Sequence, residues 1–116
     1  MYFEFMHRIA RYIMNLKGSL PLLILHVLVD GPNHGYRIAR RIKETSGGVL
    51  DFREGTLYPT LHGLEKDGLI TSTKHKENGR QRRYYELTEA GHTALAAARA
   101  EWDSYAQAVN KVLGDT

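Results

Sequence analysis

The chain contains no cysteine. That excludes a disulfide framework, a thiolate nucleophile and a cysteine-based zinc site, and it fits a cytoplasmic protein. Long hydrophobic runs are also missing. The longest, Leu20 to Val29, is interrupted by Pro21 and His26 and is too short to cross ~30 Å of hydrocarbon. Glu4, His7, Arg8 and Arg11 break any apolar signal-peptide segment at the N-terminus. There is no internal repeat, no low-complexity segment, no glycine-rich phosphate loop and no nucleophile elbow. The six histidines, at 7, 26, 34, 62, 75 and 92, lack metal-ligand spacing. No carboxylate pair is placed for acid–base work. An enzyme, a metal site and a cofactor are therefore not expected.

What is present is a chain of 116 residues, 25% charged and 42% hydrophobic, with a net charge of +3 and a pI near 9.3. This is the balance of one folded domain with a modest core. The small basic excess permits nucleic-acid binding without requiring it, so the placement of the charges decides.

The most informative stretch runs from Gly55 to Ile70. Leu57, Leu61 and Leu64 recur at helical spacing, and Thr56, Tyr58, Thr60, His62 and Lys66 carry hydrogen-bonding or cationic groups on the other side. Pro59 is expected in the first helical turn, where its missing N–H costs nothing. Asp67-Gly68 supplies the stop. A helix this short must be docked by its leucines. Its outward polar face then suits either the major groove of DNA or plain solvent.

In chain order, Tyr2 to Leu16 reads as an amphipathic helix, with Phe5 and Ile9 on its apolar stripe. It can pack on another helix or lie on a membrane surface. Ser19 can cap a second helix, with Pro21 in its first turn; that helix is apolar nearly all round and should form the buried centre. After a turn at Asp30 to Asn33, Asn33 can cap a third helix from about His34 to Thr45. Tyr36, Ala39 and Ile42 mark its inner face and Arg37, Arg40, Arg41 and Lys43 lie outward. Gly47-Gly48 reads as a flexible joint and Val49 to Phe52 as a short extended piece. Beyond the 55–70 stretch, Asn78-Gly79 between two strand-like runs signals a hairpin. Lys74, Lys76, Arg80, Arg82 and Arg83 cluster near its tip, and can neutralise phosphates or merely keep a ribbon soluble. Thr88 caps a last helix. Its seam of Leu95, Ala98, Trp102, Tyr105, Val109 and Val112 is long for so small a domain, and points to self-association.

The order of elements is mainly α with a small β-hairpin, that of a winged helix-turn-helix. Four segments resemble the PadR family of transcriptional regulators, in its compact branch: Leu20 to Leu25, Gly31 to Tyr36, Gly55 to Leu61 running on to Leu64-Glu65 and Gly68 to Ile70, and Gly79 to Tyr85 with Leu87-Thr88. They span roughly Ser19 to Gly91. The resemblance implies three parts: an N-terminal helix over 1–17, a DNA-binding domain over 18–88 and a C-terminal dimerisation helix over 89–116. It implies a homodimeric repressor at an inverted-repeat operator, in many members released by an aromatic or other small hydrophobic effector. Tyr36 would contact phosphate. Thr56, Tyr58, Pro59, Thr60 and His62, on the helix that Lys66 closes, would face the groove. Lys74, Arg80 and Arg82 would serve the wing. Phe5, Ile9, Leu95, Trp102, Tyr105 and Val109 would form the dimer interface, and Trp102 could line an effector pore or simply pack there. Thr71-Ser72-Thr73 departs from the pattern, since many members carry a tryptophan after Ile70. A winged-helix module that binds protein and no DNA is the alternative.

Overall fold

The computed structural model describes residues 19–114, so the stretch bearing Phe5 and Ile9 lies outside the described residues. Helix α1, Leu20–Val27, is the buried centre: Leu20, Ile24 and Leu25 have no exposed surface. Pro21 sits in its first turn, but the Ser19 side chain makes no capping bond. A single 3₁₀ turn, Leu28–Asp30, leads into a two-residue strand β1, Asn33–His34, which the sequence did not announce. Helix α2, Gly35–Thr45, is capped by His34 rather than Asn33. It buries Ile38 and Ile42. Tyr36 points away from that face and is 54% exposed, so it is not an inner-face residue.

Gly47-Gly48 is a helix stop rather than a flexible joint. The Gly47 and Gly48 N–H groups donate to the Glu44 and Lys43 carbonyls at 3.2 and 2.8 Å. Both glycines have positive φ, 67° and 85°, which lets the chain turn out of α2 without a Cβ clash. Val49 to Phe52 forms no strand; Leu50 and Phe52 pack against the core as an irregular link.

Helix α3, Glu54–Lys66, starts earlier than its leucine pattern suggests, because the Arg53 carbonyl already accepts the Thr56 and Leu57 N–H groups. Pro59 therefore lies in the second turn, inside the helix, and not in the first. At Asp67-Gly68 the helix stops as expected: Gly68 and Leu69 donate back to Glu65 and Leu64, each at 3.0 Å. Strands β2, Ile70–Glu77, and β3, Arg80–Leu87, form the expected ribbon, turned by Asn78 and Gly79 at φ 52° and 79°. β3 is central in a three-stranded antiparallel sheet, between β1 and β2.

Helix α4, Glu89–Leu113, is capped by the Thr88 hydroxyl, which accepts the Gly91 N–H at 3.0 Å and donates to the Gly68 carbonyl at 2.7 Å. Ala94 and Ala98 join the core formed by α1, Leu57, Leu61, Leu64, Leu69 and Tyr85. Beyond Ala98 the helix leaves that core. Trp102, Tyr105, Val109, Val112 and Leu113 are exposed. No helix among the described residues is long and apolar enough to cross a membrane.

Candidate nucleic-acid interface

The outward face of α3 follows from which residues the core claims. Leu57, Leu61 and Leu64 dock the helix, and Thr60 falls between them at the same spacing. Thr60 is only 3% exposed. Its hydroxyl donates to the Thr56 carbonyl at 2.8 Å, so burial leaves no unsatisfied group. The expectation that Thr60 faces a groove is therefore corrected: it is a core residue. The exposed stripe is Gly55, Pro59, His62 and Lys66, with Arg53 and Glu54 at the helix start. Pro59 and Gly55 are poor choices for a helix interior, costing about 3 and about 1 kcal/mol relative to alanine. Thr56 and Tyr58 are half-buried at the edge of the stripe. Arg53 and Glu54 were not singled out from sequence because the helix was expected to begin after them.

Tyr58 joins α3 to α2. Its ring lies over Gly35, where an added Cβ would come within 2.7 Å of the Tyr58 hydroxyl oxygen and 2.9 Å of two ring carbons. Gly35→Ala should therefore push the Tyr58 ring off the α2 terminus. We expect a modest loss of thermal stability and a several-fold loss of duplex affinity, read by melting and by anisotropy titration. An unchanged affinity would remove Tyr58 from the interface.

His34 is the second joint. It is 7% exposed, and its Nδ1 accepts the Arg37 N–H at 3.3 Å while lying 3.3 Å from Arg82 Nη1. A ring nitrogen that accepts in this way is unprotonated. The ring meets Tyr84 edge-on, with centroids 5.4 Å apart. Tyr84 in turn donates to Glu77. Burial, then the Arg82 and Arg37 charges, hold His34 below its ordinary 6.5, against a smaller opposing pull from Glu77. The Glu77 carboxyl is held low and the Tyr84 hydroxyl high by their mutual hydrogen bond. Because His34 is depressed in the folded chain, unfolding takes up a proton below 6.5. Its stabilising contribution is present above that pH and is lost as pH falls through the folded value. We expect His34→Asn, which can cap without titrating, to flatten the acid-side fall in melting temperature between about pH 7 and about pH 5. A parallel pair of pH curves would refute this role.

The ribbon carries cations on both faces. Lys74 pairs across the strands with Arg83, and His75 with Arg82, so Lys74 and Arg82 point to opposite sides. Arg80 shares the Arg82 side by strand alternation. Arg83 Nη1 donates to Ser72 at 2.9 Å, and Ser72 donates to Glu65 of α3 at 2.5 Å, which ties the ribbon base to the helix. The ion pairs of the described residues involve Arg40, Arg41 and Lys43 of α2, with Glu44, Asp30 and Asp51; none engages a ribbon cation. Between ribbon and helices lies a cleft of about 420 Å³ lined by His34, Gly35, Tyr58, Arg80, Arg82 and Arg83. Tyr36 stands beside its His34 wall, with ring centroids 6.4 Å apart. Among the described residues, no group of three histidine or acidic side chains could hold a metal ion.

The structure thus sets a short helix with an exposed stripe beside a basic ribbon whose cations form no ion pair among the described residues. Residues 24–97 match the model of the transcriptional regulator PadR-like family. The chain belongs to that family. It is thus a DNA-binding winged-helix transcriptional regulator and not an enzyme. Similar proteins include the transcriptional regulator Rv3488 of Mycobacterium tuberculosis, 38% identical over 93 residues, which are 80% of this chain and 84% of that one. A transcriptional regulator of Clostridium thermocellum superposes with a TM-score of 0.74 at 31% identity, covering 78% of this chain and 89% of the other. Bacillus subtilis PadR in complex with operator DNA superposes with a TM-score of 0.63 at 28% identity, over 72% of this chain and 46% of that chain.

Proposed function

We propose that this PadR-family chain is a repressor that binds an inverted-repeat operator as a homodimer. In this reading the α3 stripe enters the major groove, with Thr56, Tyr58, Pro59, His62 and Lys66 along or beside it. Tyr36 meets phosphate, and Lys74, Arg80 and Arg82 neutralise phosphates flanking the groove. The observation that supports the reading is the contrast between α2, where Arg40, Arg41 and Lys43 are each paired with a carboxylate, and the ribbon, where no cation forms an ion pair among the described residues.

The homodimer rests on the far half of α4. Trp102, Tyr105, Val109 and Val112 alternate by three and four and stand exposed, an apolar seam that favours a second helix over water. Leu95 is half-buried against the chain's own core and contributes at most an edge of that seam. Phe5 and Ile9 would add a second strip from the N-terminal segment. Trp102 and Tyr105, with ring centroids 6.1 Å apart, offer an aromatic wall on which a small hydrophobic effector could stack and loosen the operator complex. The chain carries no cysteine and works in the cytoplasm in this reading.

Two halves related by a twofold axis would read half-sites about one helical turn, ~10 bp, apart. Lys74→Ala should weaken all duplexes alike, whereas His62→Ala should change which sequences are preferred. Anisotropy titrations on operator and scrambled duplexes separate the two. Equal operator affinity for Lys74→Ala and the parent chain would defeat the wing assignment.

A further inference from the structure

The outward stripe of α3 holds the two residues least suited to a helix, glycine and proline, four positions apart. The fold asks for neither. Gly55 is absent from the positive-φ residues, and a Cβ added there meets nothing within 4 Å. Pro59 is exposed. Yet both residues act on one atom, the carbonyl oxygen of Gly55. In an α-helix that oxygen would accept the N–H of residue 59. Proline has none, and its ring crowds the carbonyl four residues back, so that oxygen has no donor from residue 59. Gly55 itself has no side chain to hold a groove floor away from this first turn, so the backbone can approach closely. The Thr60 hydroxyl, next along the chain, takes the Thr56 carbonyl instead.

We infer that the Gly55 carbonyl is a specificity-determining acceptor that takes a hydrogen bond from an exocyclic amino group in the major groove, adenine N6 or cytosine N4. These are the amino donors that the major groove presents. The inference deepens the proposed function and rests on α3 entering that groove. A main-chain acceptor in a docked helix has no rotamer to search and cannot turn into a donor. It rejects a base pair that presents an acceptor at the same place, because an acceptor facing an acceptor leaves both without a partner. Glu54, exposed one residue earlier, is the competing acceptor.

The test uses the full chain and the operator it selects. Exocyclic amino groups are removed one at a time, with purine replacing adenine and 2-pyrimidinone replacing cytosine. The parent protein should lose roughly five- to tenfold in affinity at one symmetric pair of positions. Pro59→Val restores the N–H and keeps apolar bulk at the surface. It should melt higher than the parent, bind the intact operator roughly five- to tenfold more weakly, and lose nothing further when that amino group is absent. Pro59→Ala serves the same purpose if valine folds poorly. Full amino dependence retained in both variants would overturn the inference. So would a dependence that survives in Pro59→Val but vanishes in Glu54→Ala, which would give the contact to Glu54. Failure of groove reading itself looks different: the parent chain then selects no operator at all.

Discussion

Gly91→Ala is expected to lower the melting temperature by roughly 10–20 °C, the consequence of losing about 3 kcal/mol or more. Gly91 lies in the first turn of α4, pressed against the turn between α3 and β2. A Cβ there would fall well inside contact distance of the Leu69 carbonyl oxygen and 3.1 Å from Leu87 Cδ2. The Leu69 carbonyl cannot move aside cheaply, because it accepts the Thr88 N–H at 3.1 Å. The preceding carbonyl, that of Gly68, is held by the Thr88 hydroxyl at 2.7 Å. One methyl group therefore forces either α4 or the α3–β2 turn off the core, taking Ala94 and Ala98 with it. Gly55→Ala makes a sharp control. The same substitution at an open, helical position should raise stability by about 1 kcal/mol. Thermal denaturation of both variants decides the matter. A Gly91→Ala protein that melts with the parent would show that α4 does not dock as described.

The second large effect is on binding. If each subunit neutralises ~3–4 phosphates, the dimer contacts ~6–8, and the log–log salt slope should be near −6 at ~0.9 per phosphate. Affinity would then fall roughly 10³-fold or more between ~50 and ~200 mM salt. Changing Lys74, Arg80 and Arg82 together to alanine removes up to three contacts from each subunit. The slope should collapse toward that of the few remaining cationic contacts, since the Tyr36 hydroxyl carries no charge and adds nothing to it. Because Lys74 lies on the opposite ribbon face from Arg82, the single variants also report which face the backbone passes. A triple variant with an unchanged slope would place the phosphates elsewhere, with α2 the next surface to examine.

Much of this architecture was legible because it is written in short-range signals. Asn78-Gly79 names a tight hairpin by conformational preference alone. Thr88 names a helix start, and Asp67-Gly68 a helix stop. The near-continuous apolar run from Leu20 was buried because no other environment suits it. The errors share a cause, which is that a side chain's fate depends on partners distant in sequence. Asn33 looked like the cap of α2, but β1 pairs it with Tyr85, which puts His34 at the cap. Thr60 looked polar and outward; Leu57, Leu61 and Leu64 around it were the available clue that it belongs inside, with its hydroxyl folded back on Thr56. Tyr36 looked like an inner-face aromatic, yet Ile38 and Ile42 fill that place. Pro59 looked like a first-turn residue because its cost inside a helix is high. It lies instead in the second turn, four residues after Gly55, on the exposed stripe.

Selection of binding sites from a random duplex pool by the purified full chain at ~100 mM salt goes straight to groove reading by α3. It should enrich an inverted repeat whose half-sites are centred ~10 bp apart. The same selection with His62→Ala should return an altered half-site with the same spacing. Enrichment of nothing, together with indifference to duplex at low salt, would contradict groove reading: the α3 stripe would then serve a protein partner rather than a groove.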